Sequence, residues 1–294
     1  MIEETKKPLV SVIMPCYKMG RFIGEALESV GKQTYTNWEV IAVDDCGPED
    51  GTRKAVEFFA EQFPNNRIIY HRHEKNGGVS AARNTAIGMA LGEYLAFLDP
   101  DDWWNGDYLG KQILVFGNGV KTAVVYTGTS KVDEKGDFME EWCPPESFVN
   151  AMPESVFLGN YINPSATVAT KESVTKVGGF DITPELQHVE DWDLWIKLAL
   201  SGYKFQRSEA PLVNYRQHAG AAGADRVKLK QRTFALMCKH GANPIFMRVL
   251  LERWRKVEEE LAEAHKSYRG LVAAHNATFD RRLKNALRSL FFRN

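Results

Sequence analysis

Short apolar runs alternate with amphipathic stretches through the first half of the chain, and that alternation limits the fold more than any other feature. "LVSVIMPCY" (9–17), "WEVIAVDD" (38–45), "RIIYHR" (67–72), "EYLAFLD" (93–99) and "TAVVYTG" (122–128) read as strands. Between them, residues 22–30, 51–63, 79–91 and 106–116 read as helices; Phe22, Ile23, Ala26, Leu27 and Val30, for example, recur at helical spacing. Strands alternating with helices give a mostly parallel α/β sheet with helices on both faces. The strands are apolar almost throughout, as burial on two faces requires.

The second half is less regular. "SATVAT" (165–170) reads as a strand, 190–203 as a helix, and "PLVNYRQH" (211–218) as a strand running into the loop "AGAAGA" (219–224). Residues 225–240 read as a helix. From about Asn243, the residues Trp254, Val257, Leu261, Ala264, Tyr268, Leu271 and His275 fall at alternating spacings of three and four. That narrow seam predicts one long helix or a helical hairpin outside the compact domain, suited to pairing two protomers as a coiled coil. The expected division is a domain over 1–224 and a helical extension over 225–294. In the tail (280–294), Arg281, Arg282, Lys284, Arg288 and Arg293 alternate with leucines and phenylalanines, a pattern that fits an interfacial helix on an anionic membrane.

Composition narrows the function classes. With 294 residues, 44% hydrophobic and 26% charged, the chain can bury one large core and still carry an appendage. A formal net charge of −1 gives no general attraction to nucleic acid, and no nucleic-acid partner is expected. Cys16, Cys46, Cys143 and Cys238 form no CxxC pair, which argues against a zinc site or disulfide framework and suits a reducing cytoplasm. No apolar run reaches the roughly 18–20 residues that span a bilayer. The first ten residues, MIEETKKPLV, lack the apolar stretch of a signal peptide. The expected location is the cytoplasm, with any membrane contact peripheral, at the inner face.

Two acidic clusters stand at strand ends: Asp44 and Asp45 after the second strand, Asp99 and Asp101 after the fourth. An aspartate there is often only a turn or cap residue. Two clusters at one end of a sheet, where ligands of open α/β sheets bind, point further. Oxygen-only carboxylate sites suit hard cations such as Mg²⁺ or Mn²⁺, and magnesium leaves most of its positions to phosphates and water. Asp-Pro-Asp at a sheet edge therefore suggests a divalent metal that holds a diphosphate. Pro100 biases Asp99 towards an extended conformation, which lets the two carboxylates point differently. In "KNGGVS" (75–80), two glycines precede a helix whose N-terminus would favour an anion.

The chain resembles the family 2 glycosyltransferases, inverting enzymes of GT-A fold that use a nucleotide-sugar donor. The resemblance rests on "VSVIMPCYKMGRFIGEALESVGKQTYTNWEVIAVDD" (10–45), "NGGVSAARNTAI" (76–87), "GEYLAFLDPDDWW" (92–104), "VGGFD" (177–181) and "EDWDLWIKL" (190–198), in that order and spacing. It implies a GT-A domain with a donor half over about 8–128 and an acceptor half over 129–224. It also implies roles. Pro15 and Tyr17 would line the nucleobase pocket, and Asp45 would accept from a base N–H. Arg83 would approach the diphosphate or the base. Asp99 would face the ribose and Asp101 the metal, Mn²⁺ or Mg²⁺. His218 would complete the metal shell, and Arg216 would neutralise the diphosphate. Asp191 would be the base that deprotonates the acceptor hydroxyl. A helix N-terminus favours its ionised form, while neighbouring Glu190 raises its pKa towards a useful range. Asp44, Asp102 and Glu190 would be supporting groups, and Trp103 and Trp104 would pack the following helix onto the sheet.

The resemblance further implies a UDP-sugar donor, a β-linked product, and a glycan or lipid-linked glycan as acceptor. Lys18 and Cys46-Gly47 depart from the Asn and Gly-Ser frequent in relatives, and no Q-x-x-R-W motif marks a processive synthase, so one sugar per encounter is expected. A nucleotidyltransferase would need a Gly-rich loop after the first strand, where "PCYKMGRF" stands instead. A non-catalytic scaffold would have no use for both acidic clusters and the Glu-Asp pair.

Overall fold

The computed structural model describes residues 7–116, 122–208, 210–218 and 226–291, without the side chains of residues 226 and 271–291. The chain forms two compact units, Met1–Ala242 and Asn243–Asn294.

In the first unit, β1 (Val10–Cys16), α1 (Ile23–Gly31), β2 (Trp38–Asp44), α2 (Thr52–Gln62), β3 (Ile68–Arg72), α3 (Val79–Met89) and β4 (Tyr94–Phe97) alternate as the apolar pattern requires. A two-residue strand β5 (Trp103–Trp104), helix α4 (Tyr108–Phe116) and strand β6 (Thr122–Tyr126) follow. Then come β7 (Thr129–Val132), β8 (Phe138–Trp142), α5 (Glu146–Asn150), β9 (Thr167–Thr170) and α6 (Lys171–Lys176). The unit closes with α7 (Glu190–Leu200), β10 (Lys204–Arg207), β11 (Val213–Arg216) and α8 (Arg226–His240).

Seven strands form the main sheet in the order β10-β6-β9-β4-β1-β2-β3. β1, β2, β3 and β4 are parallel, as are β6 and β10, while β9 runs antiparallel between β4 and β6. The central strands are buried on both faces. Val10, Val12 and Met14 of β1 join Val40, Ala42, Ile23 and Leu27 in one cluster. Ile13 and Phe97, one residue out of phase, lie on the opposite face, where Phe97 meets Phe180 and Trp195 with ring centroids 5.4 and 6.3 Å apart.

A second sheet, β5-β11-β7-β8, departs from the sequence expectation. TSKV carries one apolar residue, and in FMEEW the adjacent Phe138 and Met139 are both exposed, so neither segment reads as a buried or alternating strand. The β7–β8 hairpin closes where Asp133 Oδ1 accepts from the amides of Lys135 and Asp137 at 2.9 Å each. Trp104 packs on Tyr108 of α4 as expected, with ring centroids 4.4 Å apart. Trp103 instead pairs with Asn214 of β11 and lies under the Arg216 guanidinium.

The expected 224/225 boundary falls later, at Ala242/Asn243, because α8 is fastened to the first unit. Fully buried Asp193 of α7 accepts from Lys239 Nζ at 2.6 Å and meets His240 Nε2 at 2.8 Å, and Lys239 also reaches Asp181 at 2.6 Å. These bonds hold the Asp193 carboxyl below the usual carboxylate range despite its burial. Asp193→Ala should therefore cost about 3 kcal/mol in urea unfolding, since it leaves several cations around an emptied site, and should expose α8 to limited proteolysis.

The second unit is one helix, α9 (Pro244–Phe291), rather than a hairpin. Trp254, Leu261 and Tyr268 of its expected seam are exposed. The glycine-rich loop 219–224 and the side chains of the basic tail lie outside the described residues. Among the described residues no helix is long and apolar enough to cross a membrane.

Candidate active site

A cavity of about 880 Å³ opens beyond the carboxyl ends of β1, β2 and β4. It gathers most of the residues singled out from sequence: Pro15, Tyr17, Asp45, Arg83, Asp99, Asp101, Glu190 and Asp191 all line it. Asp44, Asp102, Arg216 and His218 stand outside its lining.

The Asp-Pro-Asp turn is held by its neighbours. The Asp99 amide donates to Ser165 Oγ at 3.1 Å, and the Asp102 amide to the Asp99 carbonyl at 3.0 Å. Asp101 Oδ2 lies 3.0 Å from His218 Nε2, which itself packs against Phe22. Burial and the nearby Asp99 charge push the Asp101 carboxyl up, against the pull of His218. Asp102 is buried and accepts from the Arg216 amide at 2.9 Å, so it braces β11 rather than facing the cavity.

Arg216 does not take the place expected beside a diphosphate. Its guanidinium donates to the Asp101 carbonyl at 3.0 Å, the Glu134 carbonyl at 2.8 Å and the Glu25 carboxylate, and it stacks over Phe22 and Trp103. With three bonds to α1, the β7–β8 turn and the Asp101 loop, it clamps these elements together. Asp44 is likewise structural. It accepts from the Gly47 amide at 2.7 Å and the Tyr70 hydroxyl at 2.6 Å, and pairs with Arg72.

Asp45 reaches the cavity but is already engaged. Its two oxygens accept from the Gly77 and Gly78 amides at 2.9 and 2.6 Å, and Oδ1 meets His73 Nδ1 at 2.7 Å. The glycine amides expected to receive an anion thus receive the chain's own carboxylate. Tyr17 is 42% exposed, with Lys18 over its ring, so it is a cavity-wall residue and not a core one.

Arg83 organises the opposite side. Its side chain is 3% exposed and forks between Asp99 Oδ1 at 2.7 Å and Glu190 Oε1 at 2.8 Å. One guanidinium on α3 thereby ties the Asp-Pro-Asp turn to the first turn of α7. Adjacent Asn84 makes a second tie: it donates to the Phe180 carbonyl at 2.7 Å and accepts from the Phe180 amide at 2.9 Å. Arg83 Nε and Glu190 Oε2 are buried and have no hydrogen-bond partner among the described residues.

Asp191 follows Glu190 at the cavity wall. Its Oδ1 accepts from the Trp192 amide and its Oδ2 from Asn160 Nδ2, each at 2.8 Å. Burial and the Glu190 charge push its carboxyl up to about 7, against the lowering effects of Asn160, Arg83 and the Trp192 amide. A carboxylate at that value can take a proton at neutral pH and release it again.

Sequence reasoning missed Asn160, Lys131, Trp142, Tyr161 and Tyr215, all of which line the cavity. None lies in a periodic run. Only the general expectation of an acceptor half over 129–224 pointed towards them.

The model of glycosyl transferase family 2 matches residues 11–170, more than half of the chain. The chain belongs to that family. This glycosyltransferase is 33% identical over 232 residues to a putative teichuronic acid biosynthesis glycosyltransferase, TuaG, of Bacillus subtilis, covering 78% of this chain and 86% of TuaG. It is 31% identical over 192 residues to WfgD of Escherichia coli, a UDP-Glc:alpha-D-GlcNAc-diphosphoundecaprenol beta-1,3-glucosyltransferase, covering 65% of this chain and 69% of WfgD. The mannosyltransferase PcManGT of Pyrobaculum calidifontis, solved with GDP-Man and Mn²⁺, shares the fold at a TM-score of 0.65 and 22% identity, over 84% of this chain and 69% of that one. Other solved structural neighbours are also longer; the glycosyltransferase spans 39% to 65% of their length.

Proposed function

We propose that this glycosyltransferase moves one sugar from a nucleoside-diphosphate donor, a UDP-sugar, to a hydroxyl of a glycan or lipid-linked glycan, with inversion to a β-linkage. The observation that carries the reading is the Arg83 fork, which ties Asp99 beside the donor carboxylates to Glu190 beside Asp191 in one cavity. WfgD, a relative that uses UDP-Glc and a lipid-diphosphate acceptor, supports the donor and acceptor classes.

Asp191 accepts the proton of the acceptor hydroxyl as that oxygen bonds to the anomeric carbon. The bond from the anomeric carbon to the diphosphate breaks on the opposite side, so an α-linked donor gives a β-linked product. Asn160 and the Trp192 amide hold the carboxylate in place, and Tyr17 walls the cavity where the base would sit.

The residues present fit a divalent cation. Among the described residues no group of three or more His, Cys, Asp and Glu could hold a metal ion. Asp101 and His218 supply two hard-to-borderline donors 3.0 Å apart, which leaves the remaining positions to a diphosphate, as Mg²⁺ and Mn²⁺ allow. Such an ion, when bound, balances charge on the leaving diphosphate in a cavity whose lining is otherwise rich in carboxylates.

Two measurements test the proposal. Screening nucleotide sugars for hydrolysis with Mn²⁺ or Mg²⁺ should find turnover with at least one UDP-sugar; turnover of none would sink it. Titration calorimetry with UDP and Mn²⁺ should show Asp101→Ala weakening UDP by at least about tenfold, or 1.4 kcal/mol. Metal-independent UDP binding unchanged by Asp101→Ala would remove the cation from the account.

A further inference from the structure

The smaller sheet turns one face into the cavity. In its register Lys131 of β7 lies opposite Tyr215 of β11, and Thr129 of β7 opposite Trp142 of β8. All four line the cavity, which follows from the two-residue repeat of strands. The donor chemistry described above uses none of them.

Trp142 has a partner on the neighbouring loop. The Tyr161 ring lies within 6° of parallel to it, with centroids 6.2 Å apart. That spacing is an offset arrangement, which leaves part of each face uncovered. Tyr161 also meets buried Phe148, with ring centroids 4.8 Å apart, yet it remains 38% exposed. Both aromatic segments depend on a glycine for room. A Cβ on Gly159 would come within 2.5 Å of the Tyr161 ring, and one on Gly128 within 2.7 Å of the Trp142 carbonyl oxygen. Between Gly159 and Tyr161 stands Asn160, whose amide nitrogen donates to Asp191 Oδ2 at 2.8 Å. The aromatic pair is thus one residue away from the group that orients the base.

We infer that Trp142 and Tyr161 form a stacking platform for a pyranose ring of the acceptor, which presents one ring hydroxyl to Asp191. The inference rests on the glycosyl-transfer reading and names the side chains that would hold its glycan acceptor. The C–H face of a pyranose is apolar and flat enough to lie on exposed aromatic faces, while its hydroxyls need polar partners. Lys131 Nζ and Glu140, paired at 2.7 Å across the β7–β8 hairpin, offer a donor and an acceptor beside the rings. The platform belongs to the acceptor and not the donor sugar because it adjoins Asn160 and Asp191, the groups that handle the attacking hydroxyl.

Saturation-transfer NMR on the full chain, with UDP and Mn²⁺ present and methyl pyranosides of glucose, galactose and N-acetylglucosamine as probes, tests this. At least one probe should receive saturation at its ring C–H protons. Trp142→Ala and Tyr161→Ala should each raise its Kd about tenfold or more, while Tyr161→Phe should keep it within about threefold. Gly159→Ala, which retains both rings but crowds Tyr161, should weaken the probe in the same direction. UDP affinity, measured on each preparation, should stay within about twofold and so report an intact donor half. Probe affinity unchanged in the alanine variants overturns the platform, as does a parallel loss of UDP affinity. A wild-type protein that hydrolyses a nucleotide sugar but binds no methyl pyranoside overturns the platform alone. One that hydrolyses no nucleotide sugar overturns the transfer reading instead.

Discussion

Asp191→Asn is expected to lower transfer by about 10²–10⁴-fold while making the protein more stable above pH 7. The two effects have one cause. Burial and Glu190 hold the Asp191 carboxyl at about 7 in the native state, far above its ordinary value. Between the ordinary value and 7 the folded protein keeps a proton that the unfolded chain releases, so stability falls as pH rises through that window. Above 7 the native state carries an ionised carboxylate in a site that resists it. Asparagine removes that burden and still offers an oxygen to the Trp192 amide. Thermal unfolding at pH 8 should show a higher midpoint for the variant, and at pH 4 nearly none of the gain. A variant that loses activity and stability together at pH 8 would assign Asp191 a structural role instead. Such opposed effects are the usual mark of a destabilised functional group.

Arg83→Met should cost about 3–5 kcal/mol in urea unfolding at pH 7, a large share of the stability of an ordinary domain. The arginine is almost wholly buried and serves two carboxylates, one of which, Glu190, is 7% exposed. Removing it leaves both charges without their partner. Arg83→Lys should fall between, because an ammonium cannot fork across both carboxylates as the guanidinium does. Adding Glu190→Gln to Arg83→Met should recover part of the loss, since the two residues are in direct contact and their effects are not additive. A loss below about 1 kcal/mol for Arg83→Met would place this pair with surface ion pairs and remove the bridge from the account.

Both effects depend on contacts that only the fold reveals. The alternation of apolar strands and helices was legible because β1, β2 and β4 are buried on both faces and mostly apolar, with the buried Ser11 and Glu39 bonded to each other. β7 and β10 were not, because each is short and largely polar, and β8 was not, because four of its five residues are exposed. The antiparallel course of β9 left no mark in its composition. That Asp99, Asp101 and Asp191 line one cavity was legible from motif order and from their places at strand and helix ends. The pairing of Arg83 with Glu190, 107 residues apart, was not, and Arg83 was expected at the donor. The contacts of Arg216 were hidden for the same reason: nothing in "YRQH" shows that Glu25 and the Glu134 carbonyl converge on its guanidinium. Asn160, which donates to Asp191, sits in a stretch without periodicity and was not singled out.

The proposed transfer depends on one carboxylate, Asp191, held near neutrality by its surroundings. The pH dependence of kcat with saturating donor and acceptor tests it most directly. Asp191 must be ionised to accept the proton, so kcat should rise with pH and level off with an inflexion at about 7. The residual rate of Asp191→Asn should lack that inflexion. A wild-type profile that is flat down to pH 5, or an inflexion near 7 that survives in Asp191→Asn, would contradict the account.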